Sequence, residues 1–373
     1  MTHSGTKRKD FNVALNGYRG LCALFVYVFH VGGAGILPWP SGTLFKDALT
    51  YLWKSLTYGV EMFFMISGFV ILGSLLRHAT VGTFLKDRFI RIFSAWIPAL
   101  CAVTLVGIAL QMPPFNNSSG YENAALFIGN VFLLPPIVRF PMIHQVSWSL
   151  SYEWVFYFSS AVALLLYRNQ RVPRAAFIAW LCIAAVFIIL FPRALFFVTG
   201  VLVFKYRDWF AAHEQWLKAP VVSLLVFLLA WHATGAFKAH LNDTVLDFIA
   251  DGRVVAMFIA LIASIHLFAS VTLNATRQTA FLCGPVFQFL GRISYSFYLW
   301  HTPVMAAFKR FGVPQVVEYF GAGAGFAVLA IATFAVSVPL SWLSWRLCEV
   351  ALAGRMRRAF TSSAEVGGTV RVV

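Results

Sequence analysis

The sequence LNGYRGLCALFVYVFHVGGAGI, residues 15–36, places two ionisable side chains in a segment that otherwise suits lipid. Arg19 lies near its start and His30 lies well inside it. Eleven residues turn an α-helix by about 1100°, close to three full turns, and rise about 16 Å, so both side chains project from one face. Ionisable groups inside membrane segments usually line a cavity or a substrate path. The alternative is that Arg19 snorkels from the helix end and His30 bonds to a neighbour.

The composition indicates a membrane protein. Apolar residues make up 60% of the 373 residues and charged residues only 12%, whereas a soluble domain is about half apolar and a quarter charged. Hydropathy therefore predicts an all-α, polytopic transmembrane helix bundle of about ten spans. The predicted spans are roughly 15–36, 55–76, 92–112, 148–167, 175–191, 194–204, 219–237, 254–273, 284–306 and 322–345. The sixth is too short to cross alone and is expected to extend or to form a hairpin with the fifth.

The distribution of basic residues predicts the orientation. Most of the 29 Lys and Arg residues fall in loops on the side of the two termini, which the positive-inside rule places in the cytoplasm. The apolar piece 124–138 either spans or re-enters, and we expect it to be re-entrant or interfacial. Residues 1–350 are expected to form a single transmembrane domain, and 351–373 a basic cytoplasmic tail without fixed structure. The net charge of +15 is then explained by loops that attract anionic membrane lipid, and no nucleic-acid partner is predicted.

Two carboxylates lie among apolar residues. Glu61 belongs to the second predicted span, in YGVEMFFMISGFVILGS, and Glu153 begins the fourth, in QVSWSLSYEWVFYF. An ionised carboxylate at membrane depth needs a strong partner or water, so both are expected to face the interior of the bundle. Their aromatic neighbours also suit an ordinary interfacial belt, which needs no function.

Basic residues mark two further motifs. Arg88 and Arg91 share a helix face at i and i+3 in LKDRFIRIFSAW, where they could hold a phosphate or simply anchor the topology. In FLGRISYSFYLWHTPV, Arg292 and His301 are nine residues apart and half a turn out of phase, so His301 is interpreted as structural or as supporting another site residue. At the end of the last span, Arg346 and Glu349 are spaced for a local ion pair.

Together these strings resemble acyltransferase family 3, integral-membrane enzymes that O-acylate cell-surface glycans and some small molecules. The resemblance covers about residues 12 to 350. The matching residues are Leu15-Asn16-Gly17-Tyr18-Arg19-Gly20 with His30, Val60-Glu61-Met62-Phe63-Phe64 through Ser67-Gly68-Phe69, Arg88 with Arg91, Trp148-Ser149-Leu150 with Glu153, and Gly291-Arg292-Ile293-Ser294-Tyr295-Ser296 with His301 and Pro303. The family usually has Asp where this chain has Asn16. The chain resembles the membrane-only members, which lack an added esterase-like domain.

The resemblance implies an O-acyltransferase that uses acyl-CoA, with acetyl-CoA as the first candidate, and needs no metal. The donor would be held by Arg19, Arg88, Arg91 and Arg292. His30 would act as general base or carry the acyl group itself, with Glu61 or Glu153 orienting it. The acceptor would be a hydroxyl of an extracytoplasmic glycan, a glycolipid or a small molecule, and the location a bacterial inner membrane.

A second class of function uses the same buried charges. A proton-coupled transporter or a glycan flippase would relay protons through them, but such carriers often contain two similar halves, and none are visible in this sequence. The acyl group, the acceptor, the oligomeric state and the choice between base and acyl carrier for His30 stay open at this point.

Overall fold

The computed structural model describes residues 4–37, 42–78, 80–116, 118–169, 173–235, 243–273 and 276–368, and within these ranges the chain is helical and has no β-strand. The all-α prediction is therefore confirmed. The helices are α1 (Ser4–Gly32), α2 (Leu44–Ser55), α3 (Gly59–Arg77), α4 (Val81–Ala109), α5 (Gly120–Val131), α6 (Ser147–Arg168), α7 (Arg174–Leu190), α8 (Leu195–Lys205), α9 (Arg207–Ala212), α10 (Pro220–Ala233), α11 (Val245–Ala250), α12 (Val254–Leu273), α13 (Pro285–Phe311), α14 (Val313–Ser344) and α15 (Ala353–Gly368).

Several of these helices are suited to a membrane. Among the described residues, five helical ranges are long and apolar enough to cross it: Leu44–Arg77, Val81–Ala109, Ser147–Arg168, Val254–Leu273 and Val313–Phe360. The pair α7 and α8 is a sixth candidate, bent by 117° at a short break, which fits either a broken span or a re-entrant hairpin. The helical membrane bundle is thus supported, while the count of ten spans and the cytoplasmic side of the termini stay predictions.

Length and hydropathy disagree for two helices. With 29 and 27 residues, α1 and α13 extend about 43 Å and 40 Å, which is more than the roughly 30 Å of a hydrocarbon core. They are not among the ranges that are apolar enough to cross the membrane, because they carry the charged and polar residues of the motifs. In contrast, the 12 residues of α5 rise only about 18 Å, which favours a re-entrant or interfacial position for the segment around 124–138.

Helices α1 and α13 pack backbone against backbone through glycines. A Cβ atom at Gly291 would lie 1.9 Å from the carbonyl oxygen of Asn16, and one at Gly20 would lie 2.7 Å from that of Phe287. Asn16 also fixes the register, because its Nδ2 donates to the backbone oxygen and to Oε1 of Gln288, both at 3.0 Å. An aspartate at this position would have no N–H to donate to these oxygens. The motif glycines thus bring the helices of Arg19, His30 and His301 together.

Helices α3 and α8 form a second close pair. A Cβ at Gly68 would lie 2.0 Å from the carbonyl oxygen of Phe197, and one at Gly200 would lie 2.0 Å from that of Met65. Small residues on both helices allow this approach. The packing of α3 and α8 positions the turn between α7 and α8 beside the start of α3.

The C-terminal part changes its helical geometry. Helix α14 is interrupted at Gly321, whose φ is +83°, and it continues into a π-helix, Trp345–Leu352. The predicted ion pair of Arg346 and Glu349 is wrong: Arg346 lies over the Trp342 ring at 5.5 Å, and Glu349 accepts a hydrogen bond from Ser296. A π-helix bonds i to i+5, so positions i and i+3 no longer share a face as they do in an α-helix.

Helix α15 packs against the first turns of α4. The Nε atom of Arg357 lies 4.0 Å from Oδ1 of Asp87, and the Nζ atom of Lys86 lies 5.3 Å from the centre of the Phe360 ring. Residues 353–368 of the predicted tail are thus helical, and 369–373 lie outside the described residues.

Candidate active site

A cavity opens between α1, α3, α4, α6 and α13. The empty space there amounts to about 630 Å³, a figure that includes open solvent at the mouth. Apolar side chains form much of the wall, and the polar side chains that line it are Arg19, Ser67, Arg91, Ser149, Glu153, Ser294, Tyr295 and Tyr298. Because these residues come from five helices and from all of the quoted motifs, the cavity is where the separate sequence signals meet.

The guanidinium groups of two arginines lie in the cavity wall. Arg19 is partly buried and Arg91 is exposed, and both line the cavity, where their like charges oppose each other. Two arginines on one wall form a site suited to an anion, since each can donate two parallel hydrogen bonds to phosphate or carboxylate. The structure therefore brings together two of the four arginines that the sequence assigned to the donor.

Two carboxylates balance these charges. Glu153 lies in the cavity wall, and its Oε1 accepts from Ser67 Oγ at 2.8 Å and from the Tyr157 hydroxyl. Glu349 lies in the π-helix and accepts a hydrogen bond from Ser296 Oγ at 2.6 Å. Its negative charge attracts the guanidinium of Arg19. Glu153 is thus a neighbour of the arginines, and its hydrogen bonds come from Ser67 and Tyr157 and not from His30. The sequence predicted Glu349 only as a partner of Arg346 and not as a residue of the site.

Arg88 lies beside the cavity and not on its wall. Its Nη2 donates to Ser74 Oγ at 2.9 Å, and its guanidinium carbon lies 5.7 Å from the centre of the Phe84 ring and 5.9 Å from that of Tyr157. Its Nε atom is buried and has no hydrogen-bond partner within the described part of the chain. A buried donor left unpaired is unfavourable by roughly 1–3 kcal/mol, so the contacts around Arg88 leave one of its polar groups unsatisfied.

Arg292 lies apart from the other arginines. It is exposed on α13, and its guanidinium carbon lies 5.9 Å from the centre of the Trp345 ring. It is not among the residues of the cavity wall. This agrees with the helical phase, which separated Arg292 from the inward face that carries His301.

Glu61 belongs to a sealed cluster. Its side chain is fully buried, and its Oε1 accepts from Arg193 Nη1 at 2.9 Å and from Trp231 Nε1 at 3.1 Å. Arg193 lies in the turn at the break between α7 and α8, so the ion pair fastens that break to α3. The sequence assigned Glu61 to catalysis and did not single out Arg193. An arginine between two adjoining apolar segments is the signal that could have found it.

His30 contacts a second histidine. Its Nδ1 lies 2.9 Å from Nε2 of His301, and Nδ1 of His301 lies 2.9 Å from the carbonyl oxygen of Phe297. His301 is 1% exposed, whereas His30 is partly exposed. Neither histidine is in the cavity wall, so the structure separates the arginine site from the histidine pair.

Tyr298 stands between the two places. It lines the cavity, its hydroxyl lies 2.8 Å from Ser149 Oγ, and its ring centre lies 6.1 Å from that of His301. Arg19 and His30 are separated by about 16 Å along α1. A ligand that binds to both places must therefore have an anionic end and an extended arm.

Comparison with known proteins supports an acyltransferase. The chain matches the family model described as an acyltransferase domain, of the Acyl_transf_3 type, over residues 12–346. It is 26% identical over 259 residues to the exopolysaccharide production protein ExoZ of Rhizobium meliloti (strain 1021), covering 68% of this chain and 78% of that protein. It is 25% identical over 379 residues to the acyltransferase MdmB of Streptomyces mycarofaciens, covering 94% of each.

A more distant match points to the same chemistry. The Staphylococcus aureus (strain MSSA476) protein SAS0844, named as an O-acetyltransferase, is 24% identical over 334 residues, and the match covers 80% of this chain and 52% of that protein. No solved structure shows significant similarity to the chain. The family model covers nearly the whole chain, and so this chain belongs to the acyltransferase 3 family and is an O-acyltransferase.

Proposed function

We propose that the enzyme moves an acyl group from cytoplasmic acyl-CoA, with acetyl-CoA as the first candidate, to a hydroxyl of an extracytoplasmic glycan or glycolipid. The observation that carries the proposal is the arrangement of an arginine-lined cavity and a histidine pair along one face of α1. Acyl-CoA has the matching shape, since its phosphates are anionic and its pantetheine arm is long and flexible.

The donor's phosphates would bind at the arginines. Arg19 and Arg91 face the cavity, and Arg88 beside it has the unpaired Nε donor. Arg292 was included from the family resemblance, but its exposed position over Trp345 gives it no contact with this cavity. We therefore give Arg19 and Arg91 the main role in holding the phosphates, and Arg88, which lies beside the cavity, a supporting one.

The reaction would take place at His30. As a general base, His30 takes the proton of the acceptor hydroxyl while the hydroxyl oxygen attacks the thioester carbonyl. The carbon–sulfur bond then breaks, and the departing thiolate takes that proton from His30. In the alternative, His30 attacks first and carries the acyl group until the hydroxyl attacks. Both routes form one ester and release one thiol.

The acceptor is inferred from similarity and from topology. ExoZ carries the name of an exopolysaccharide production protein, which supports a polysaccharide or a lipid-linked glycan unit as acceptor. The equally similar MdmB is named only as an acyltransferase, so a small molecule with a free hydroxyl is the second candidate. A bacterial inner membrane is the compartment in which cytoplasmic acyl-CoA and an outward-facing acceptor meet across one bilayer.

The test uses the full-length protein purified into lipid nanodiscs with acetyl-CoA labelled in the acetyl group. Wild type is expected to release CoA and to transfer label to a glycan acceptor, or slowly to water. His30→Ala is expected to abolish both at an equal folded fraction, while Arg310→Ala, an exposed arginine on the same helix as His301, leaves them unchanged. Wild type that never cleaves the thioester would contradict the proposal and favour transport.

A further inference from the structure

We propose that His301 is a positioning residue that fixes the ring of His30 so that Nε2 of His30 is the reactive nitrogen. This inference rests on the proposed function, in which His30 is the base or the acyl carrier. It gives the orienting role to a neutral histidine and not to Glu61 or Glu153, whose carboxylates are bound by other partners.

The first step is the proton position on His301. Its Nδ1 lies 2.9 Å from the carbonyl oxygen of Phe297, one turn earlier on α13. A carbonyl oxygen only accepts, so Nδ1 of His301 must carry the proton. In a neutral imidazole the other nitrogen is then an acceptor. Nε2 of His301 therefore presents a lone pair to its neighbour.

The second step follows for His30. Its Nδ1 lies 2.9 Å from that acceptor, so it must be the donor of the hydrogen bond. Nε2 of His30 is left with a lone pair, directed away from His301. The pair thus holds the imidazole in the tautomer that a general base or a nucleophile needs.

The surrounding helix is built to hold His301 in place. Pro303 has no N–H, so the carbonyl oxygen of Leu299, four residues earlier, lacks its usual helical donor. Nε2 of His144 lies 2.8 Å from that oxygen and donates to it, and His144 is 2% exposed. His144, from the segment before α6, thus supplies the hydrogen bond that the helix α13 lacks within one turn of His301.

The histidine pair can also accept and return the proton that the reaction releases. When Nε2 of His30 takes the hydroxyl proton, Nδ1 can pass its own proton to Nε2 of His301, whose Nδ1 stays bonded to Phe297. If Nε2 of His30 is acylated instead, the same transfer leaves a neutral acyl-imidazole on His30 and a protonated His301. In the base route, Nε2 of His30 gives its proton to the thiolate and His301 returns the other proton to Nδ1, which restores the starting state. In the carrier route, the proton held by His301 returns through His30 to the thiolate. The acceptor hydroxyl then attacks the acyl-imidazole, and its proton passes to the imidazole of His30 as the acyl–nitrogen bond breaks.

Two substitutions separate this role from a merely structural one. In His301→Gln the side-chain oxygen can lie close to the former Nε2 and accept from His30, whereas His301→Leu fills similar space without an acceptor. Both lose the bond to Phe297, so they differ mainly in the acceptor. We expect kcat to fall by a factor on the order of 10² or more in His301→Leu, with the donor KM within about twofold, and His301→Gln to keep at least about a tenth of the wild-type kcat. Equal kcat values for the two variants would overturn the inference.

A second measurement does not use the His301 variants. In wild-type protein with ¹⁵N-labelled histidine, the ring signals of His30 are identified by their loss in His30→Ala. The expected shifts show Nδ1 protonated and Nε2 unprotonated, and the reverse pattern would overturn the inference. The outcomes also separate the two proposals: activity that survives His30→Ala contradicts the proposed function, whereas activity lost in His30→Ala but retained in His301→Leu contradicts only the role of His301.

Discussion

Among the residues that the structure describes, two arginine–glutamate clusters lie within the bundle, and they differ in access to ligands. Arg19 and Arg91 face an open cavity, with Glu153 in the same wall. Arg193 and Glu61 form a closed pair whose side chains are 12% and 0% exposed. Both clusters combine the same residue types at membrane depth, so composition does not distinguish them. Access does, because only the open cluster can exchange water for a ligand.

The largest expected effect is on stability, at the closed cluster. Glu61→Ala leaves the buried guanidinium of Arg193 without its carboxylate, and breaking a buried pair in this way is unfavourable by about 3–5 kcal/mol. We expect a lower free energy of unfolding, measured by denaturant titration in mixed micelles. Glu214→Ala, at an exposed position, is the control. Unchanged stability with lost activity would instead return Glu61 to the catalytic role that the sequence suggested.

The next effect is on donor binding, at the open cluster. Arg91→Ala removes a charged donor from the cavity wall, and hydrogen bonds to charged groups contribute about 1.5–3 kcal/mol. We expect the KM for acyl-CoA to rise by about 10–100-fold with little change in the free energy of unfolding. Steady-state kinetics on purified protein test this, with Arg310→Ala as the matched control. A KM that stays at the wild-type value would show that the phosphates bind elsewhere.

Glu153→Gln separates electrostatic balance from catalysis. The amide oxygen can still accept from Ser67 and Tyr157, so the change removes mainly the negative charge near Arg19 and Arg91. We expect an anionic donor to bind about two- to fivefold more tightly at low salt, with the difference decreasing as salt rises. A large fall in kcat, independent of salt, would show that Glu153 takes part in the chemistry.

The smallest effect is expected at Arg292. Its exposed side chain over the Trp345 ring contributes about 0.5–1 kcal/mol of cation–π attraction at most. Arg292→Ala is therefore expected to change kcat and the donor KM by less than about twofold, measured beside Arg91→Ala in the same assay. A KM increase as large as that of Arg91→Ala would place Arg292 in the donor site.

The sequence predicted features that depend on local periodicity. The all-α class follows from composition, and the helical phase of residues 15–36 correctly put Arg19 on an inward face. The same argument separated Arg292 from His301. The motif glycines, for example Gly20 and Gly291, could be read only as small residues, and the structure explains them by the close approach of α1 and α13.

Long-range partners could not be predicted in this way. A helical face does not identify the residue opposite, so the contact of His30 with His301, 271 positions away, was not foreseen. Glu349 was paired with Arg346 because an α-helix was assumed where a π-helix occurs. Arg193 lies in a turn, where hydropathy carries no signal for contact with Glu61.

The central claim is that the donor binds at the arginines and reacts at His30, two separate places on α1. The most direct test is equilibrium binding of CoA to purified His30→Ala, Arg91→Ala and wild-type protein in nanodiscs. The account predicts that His30→Ala binds CoA as wild type does while transferring no acyl group, and that Arg91→Ala binds at least about tenfold more weakly. Wild-type affinity in Arg91→Ala together with lost affinity in His30→Ala would contradict it.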